Sequence, residues 1–139
     1  MTEPTPATTE SVLRGFRRPL LWLAMWASMI VGVIVLSLVR GPPIPAVLVI
    51  GKFDHFIAYF ALQAVAVQLY ATRRAQMGAA LAMVALGIGM ELAQGYLTTY
   101  RDMSAYDAFI DTVGVAIGFA IAWTPLDTLL LRIDLRLMR

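Results

Sequence analysis

The stretch from Pro19 to Val39 runs for 21 residues without a charge, and this constrains the chain more than any other feature. At the helical rise of 1.5 Å per residue it extends about 31 Å, the thickness of a bilayer's hydrocarbon layer. A cleaved signal sequence is the rival reading. It fails because the run exceeds the usual apolar region of about 7 to 15 residues, and because Leu38-Val39-Arg40-Gly41 offers no small-x-small cleavage site. The segment therefore reads as a permanent first helix. Composition extends the argument to the whole chain of 139 residues, which is 60% hydrophobic and 14% charged, where a soluble domain is roughly a quarter charged. A single integral membrane domain is expected. The absence of cysteine removes disulfides, thiolate metal sites and thiol catalysis. A net charge of +2 with no basic patch argues against a nucleic-acid partner.

The chain divides accordingly. Residues 1–18, polar and ending in Arg14, Arg17 and Arg18, read as a flexible cytoplasmic tail. Residues 19–126 hold four expected transmembrane helices in an all-α, up-and-down bundle: Pro19 to Val39, about Lys52 to Tyr70, about Ala75 to Leu97, and about Ala105 to Trp123. Pro42, Pro43 and Pro45 break the chain after the first span, and Pro125 ends the fourth. Residues 127–139 place Leu129, Leu130, Ile133 and Leu137 on one stripe and Arg132, Arg136 and Arg139 elsewhere, as an interfacial helix does. Lys and Arg then set the orientation: eight fall on the side of the two tails and the Arg73-Arg74 loop, three (Arg40, Lys52, Arg101) on the other. Both termini are expected in the cytoplasm, in a bacterial inner membrane.

The ionisable residues of the last three spans cluster at helix ends that an up-and-down bundle brings to one side, the expected outer face. Lys52, Asp54 and His55 open the second helix, Glu91 and Gln94 lie late in the third, and Asp107 and Asp111 lie early in the fourth. Asp107, Asp111, Gly114 and Gly118 share a stripe, as do Gly87, Glu91 and Gln94, and as do His55, Tyr59 and Leu62. Gly114 and Gly118 read as packing positions that let another helix approach closely. Glu91 and Asp111 lie six residues inside their helix ends, roughly 9 Å deep at the helical rise. A charge facing lipid there costs about 2.5 to 3.5 kcal/mol, so these side chains should turn inward. Five acids against two fixed cations leave a surplus of negative charge at this face. Either carboxylates share protons, or a divalent cation occupies the cluster.

These residues carry a resemblance. Gly51-Lys52-Phe53-Asp54-His55-Phe56-Ile57-Ala58-Tyr59-Phe60, then Glu91-Leu92-Ala93-Gln94, then Arg101-Asp102-Met103-Ser104 with Asp107, Asp111 and Gly114 through Gly118, resembles the VanZ-like family of small bacterial membrane proteins over about residues 51–122. Two positions depart from the pattern: Gly51 stands where the family usually has Asp, and Asp111 where it commonly has Asn. The resemblance implies a link to low-level resistance to the glycopeptide teicoplanin, which acts on lipid-linked cell-wall precursors at the outer face. That link is a phenotype and not a mechanism.

Two functions from different classes follow. In the first, an outward-facing polar site binds, and in an enzymatic version modifies, an anionic lipid or lipid-linked envelope intermediate. Lys52 and Arg101 hold phosphate, His55 and Glu91 act as acid and base, Asp107 orients His55 or a metal, and Tyr59, Gln94 and Asp111 complete the ligand-binding set. In the second, the chain is a non-catalytic scaffold or small exporter subunit, and the polar cluster is a structural clamp in which Arg101 and Lys52 pair with Glu91 and Asp107. The single cluster at one end, without an internal repeat, disfavours the exporter. Trp22, Trp26, Tyr96, Tyr100 and Trp123 read as interfacial or lipid-facing aromatics.

Overall fold

A computed structural model describes residues 11–39 and 52–137. The described residues form an all-helical structure: α1 (Pro19–Leu38), α2 (Lys52–Leu69), α3 (Arg73–Leu97), α4 (Ala105–Ala120) and α5 (Leu129–Arg136), with two 3-10 turns, Ile121–Trp123 and Pro125–Thr128, between α4 and α5. The helix boundaries have local causes. Pro19 opens α1 at a position where a missing N–H costs nothing. Thr72 caps α3 by accepting from the Ala75 N–H, and Ser104 caps α4 by accepting from the Asp107 N–H, both at 3.2 Å. The proline-rich turn expected at residues 42–45 lies outside the described residues.

Three helices are long and apolar enough to cross a membrane: Pro19–Leu38 with a mean hydropathy of 2.2, and Arg73–Leu97 and Ala105–Trp123 with 1.5 each. The remaining long helix, α2, has 18 residues and a shorter apolar stretch, Phe53–Leu69. Its surroundings explain its more polar composition. Tyr59, Leu62, Gln63, Ala64, Ala66, Val67, Gln68 and Leu69 are all buried, because α2 packs against α1, α3 and α4 together. Protein contacts can satisfy its glutamines, which lipid could not.

The tightest approach is between α2 and α4. A Cβ built on Gly114 would stand 2.7 Å from the Phe56 carbonyl oxygen, and one on Gly118 would stand 2.6 Å from that of Phe60. Both obstacles are backbone, so neither position admits a side chain without separating the helices. The core beside this seam is Tyr59, Leu62, Ala80, Met83 and Val115, with Trp26, Met29, Ile30 and Val33 of α1 packed on its outside.

Two sequence expectations change at the opposite end of the bundle. Residues 11–18, read as part of a flexible tail, are docked. The Arg14 N–H donates to the Leu69 carbonyl and the Ala71 N–H to that of Val12, both at 2.9 Å, while Arg14 forms a 3.1 Å ion pair with Asp127. The end of α2 leaves carbonyls without helical partners, and this segment answers one of them. Residues 1–10 of the expected tail lie outside the described residues. Trp22 and Trp26, read as interfacial or lipid-facing, turn their indole N–H groups to protein acceptors: Asp134 at 3.0 Å and the Leu62 carbonyl at 2.9 Å. Tyr96 and Trp123 are exposed, as expected. In α5 the buried residue is Asp134, and Leu129, Ile133 and Leu137 of the expected stripe are left exposed.

Candidate functional site

His55 sits in the first turn of α2, Glu91 near the end of α3 and Asp111 in the second turn of α4. Each offers a ligand atom such that all three atoms lie within 4.8 Å of one another. The three helix ends that carry the ionisable residues thus meet at one end of the bundle. The stripes read from the sequence point inward: Tyr59 and Leu62, then Gly87, Glu91 and Gln94, then Asp111, Gly114 and Gly118 are all buried.

The hydrogen bonding is specific and incomplete. His55 Nδ1 and Asp111 Oδ1 are 3.1 Å apart. An ionised Asp111 accepts from Nδ1–H, which leaves the Nε2 lone pair of a neutral ring free for another partner. Glu91 Oε2 accepts from the Ser104 backbone N–H at 2.8 Å, so the loop between α3 and α4 is tied to the α3 carboxylate and not through Arg101. Four buried atoms here have no hydrogen-bond partner among the described residues: the Tyr59 hydroxyl, Glu91 Oε1, Asp107 Oδ1 and Asp111 Oδ2. Glu91 and Asp111 are only 3% and 1% exposed. Each such orphan costs about 1 to 3 kcal/mol, more when charged, so a further partner would gain more at this cluster than elsewhere among the described residues.

Gly87 helps shape the cluster. A Cβ at this position would lie 3.1 Å from Asp111 Oδ2 and 3.4 Å from the Tyr59 ring, which places the Tyr59 ring edge and the orphaned carboxylate oxygen against the same point of α3. Glycine here leaves room for the Asp111 side chain against α3.

The remaining sequence-derived candidates fall into different places. The hydrogen bond to His55 expected of Asp107 is made instead by Asp111. Asp107 stands one turn nearer the start of α4 and acts on His55 only through space. Gln94 is buried but donates to the Ser37 carbonyl at 3.2 Å, tying α3 to α1. Arg101 is exposed in the loop that ends at Ser104. Lys52 is the first residue of α2, three positions before His55, and its side chain lies outside the described residues.

A second polar group, missed in the sequence, occupies the opposite end. Gln76 donates to the Val67 and Tyr70 carbonyls at 3.0 and 2.9 Å and accepts from Arg73. Gln63 donates to the Gln76 carbonyl, and Gln68 accepts from the Leu130 N–H. Arg73 also donates to the Ala122 carbonyl and lies over the Trp123 ring. The signal for it was the pair of glutamines inside an otherwise apolar helix. Most of its polar atoms are partnered, and it works as a clamp between α2, α3 and α5. The contrast decides between the two ends: of the six orphaned buried atoms among the described residues, four are in the His55 cluster.

No family model, curated protein or solved structure matches the chain.

Proposed function

We propose that the chain is a four-span bacterial inner-membrane protein of VanZ-like type whose His55 end faces outward and binds an anionic lipid or lipid-linked envelope intermediate. The observation that carries this reading is the set of buried, unpartnered polar atoms converging from α2, α3 and α4, because intramembrane ionisable groups left unsatisfied mark ligand pathways more often than structure. Arg101, exposed in the α3–α4 loop, and Lys52 at the head of α2 supply positive charge for a phosphate at the mouth. Beneath them the His55–Asp111 pair and Glu91 can exchange a proton with a bound headgroup. At the other end, α5 and the residues flanking it expose Leu126, Leu129, Ile133 and Leu137 beside the α5 arginines, which suits a helix lying at the cytoplasmic interface. In this reading α2 is the fourth span. At about 27 Å it is slightly short for the bilayer, and its neighbours shield it from lipid.

Native mass spectrometry of the detergent-purified protein tests the reading. A phospholipid or polyprenyl carrier should stay bound to the wild type and be lost from the His55→Ala and Glu91→Gln variants. Folded variants that keep the same lipids, or a wild type that holds only a partner protein, would return the cluster to the scaffold reading.

A further inference from the structure

We propose that His55, Glu91 and Asp111 form a binding site for a divalent transition-metal ion of the zinc or manganese kind. Three donors from three helices lie within 4.8 Å of one another. Such ions hold their ligands at about 2.0 to 2.2 Å, so two ligands of one ion stand roughly 3.0 Å apart when adjacent in an octahedral shell, roughly 3.4 Å apart in a tetrahedral one, and roughly 4.2 Å apart when opposite. The 3.1 Å between His55 Nδ1 and Asp111 Oδ1 matches an adjacent pair once an ion takes the place of the Nδ1 proton, and small side-chain torsions close the wider separations.

The orphaned atoms point the same way independently of the acidic count. A shared proton would satisfy one pair of oxygens and leave the others bare. An ion held by Glu91 and Asp111 would meet Glu91 Oε1 and Asp111 Oδ2 together, two of the three buried carboxylate atoms without partners among the described residues, the third being Asp107 Oδ1. The Tyr59 ring edge lies with Asp111 against Gly87, and its buried hydroxyl, likewise unpartnered among the described residues, is a donor free to serve a ligand oxygen. The mix of one imidazole with two carboxylates selects against magnesium and calcium, which take oxygen alone, and for zinc or manganese. Two negative ligands and a dication are also neutral together, which a cluster this dry requires.

The inference deepens the lipid reading and rests on it for its purpose. Two carboxylates repel a phosphate, whereas an ion held by three protein donors keeps positions open for the phosphate oxygens. The ion would be the bridge between an acidic site and an anionic headgroup.

His55 is the single histidine and there is no cysteine, so the untagged full-length protein has no competing soft site. After stripping with EDTA, titration with Zn2+ or Mn2+ alone should show one ion per chain. Affinity should fall at least about 100-fold in His55→Ala and in Glu91→Gln, the upper end of what outer-sphere losses cost. Electron spin-echo spectra of the Mn2+-loaded wild type should show coupling to one imidazole nitrogen, a readout that does not depend on the variants folding. Less than one ion per chain, Mn2+ without nitrogen coupling, or folded variants of unchanged affinity would each overturn the proposal. An ion that binds where no lipid is retained sinks the lipid reading and leaves the metal site. Lipid retained by a protein that takes up no ion does the reverse.

Discussion

His55 Nδ1 stands 3.1 Å from Asp111 Oδ1, joining the first turn of α2 to the second turn of α4. The bond spans the same helix pair that Gly114 and Gly118 draw into backbone contact, so the geometry of the site depends on a seam one to two turns below it.

Asp111→Asn should separate the charge of this pair from its shape. The amide oxygen can still accept from Nδ1–H, so the thermal midpoint should stay within a few degrees of wild type. Lipid retention and Zn2+ or Mn2+ affinity should fall at least about tenfold. Asp107→Asn, one turn away and not bonded to His55, should have the smaller effect in the same binding assays.

The α2–α4 seam predicts a graded glycine series. Gly118→Ala and Gly114→Ala drive a methyl into backbone oxygen and should each destabilise by about 2 kcal/mol, with larger residues doing more. Gly89→Ala, where nothing lies within 4 Å of the added carbon, should be neutral or stabilising. Denaturant unfolding in detergent checks the order, and equal losses at all three positions would refute the seam.

Asp134 makes the opposite end sensitive to acid. The Trp22 indole N–H, followed by the backbone N–H groups of Arg17 and Arg18 and the Arg18 charge, holds its carboxyl below the usual range against the opposing effect of burial. A carboxyl depressed on folding stabilises at any pH above its ordinary value, and that stabilisation disappears as pH falls through the lowered value. Docking of α5 onto α1 should therefore be intact at neutral pH and loosen only in strong acid. Thermal midpoints measured from pH 4 to pH 2 should fall less steeply in Asp134→Asn, and Trp22→Phe should lower the midpoint at pH 7.

Orientation can be read by labelling, since the natural chain has no cysteine. Single cysteines replacing Pro43 or Thr99 should react with an impermeant maleimide from outside intact cells, and one replacing Ala75 should not. The reverse pattern would place the His55 cluster in the cytoplasm and remove its access to extracytoplasmic lipid.

Much of this arrangement was legible in the sequence. The uncharged run at Pro19–Val39 and the helix-breaking Pro125 mark where helices run and stop, because an apolar run and a missing backbone N–H act locally, whereas the caps Thr72 and Ser104 appear only in the structure. The position of His55, Glu91 and Asp111 near helix ends that alternate in direction brings them to one side. Their stripes with Tyr59, Gly87 and Gly114 follow from helical period alone.

What only the tertiary structure decided is register. Asp107 and Asp111 share a face of α4 and differ by one turn, about 6 Å along the axis, and nothing local says which of them meets His55. The contact of Gly114 with Phe56 and of Gly118 with Phe60 sets how far α4 slides along α2, and that offset selects Asp111. The same holds at the other end, where α1 is apolar all round and shows no preferred face. Trp22 and Trp26 turn inward because Asp134 and the Leu62 carbonyl reach them from remote parts of the chain. Helical period is a property of neighbours in sequence, whereas the partner of a polar atom depends on the axial fit of two helices, which only their packed surfaces define.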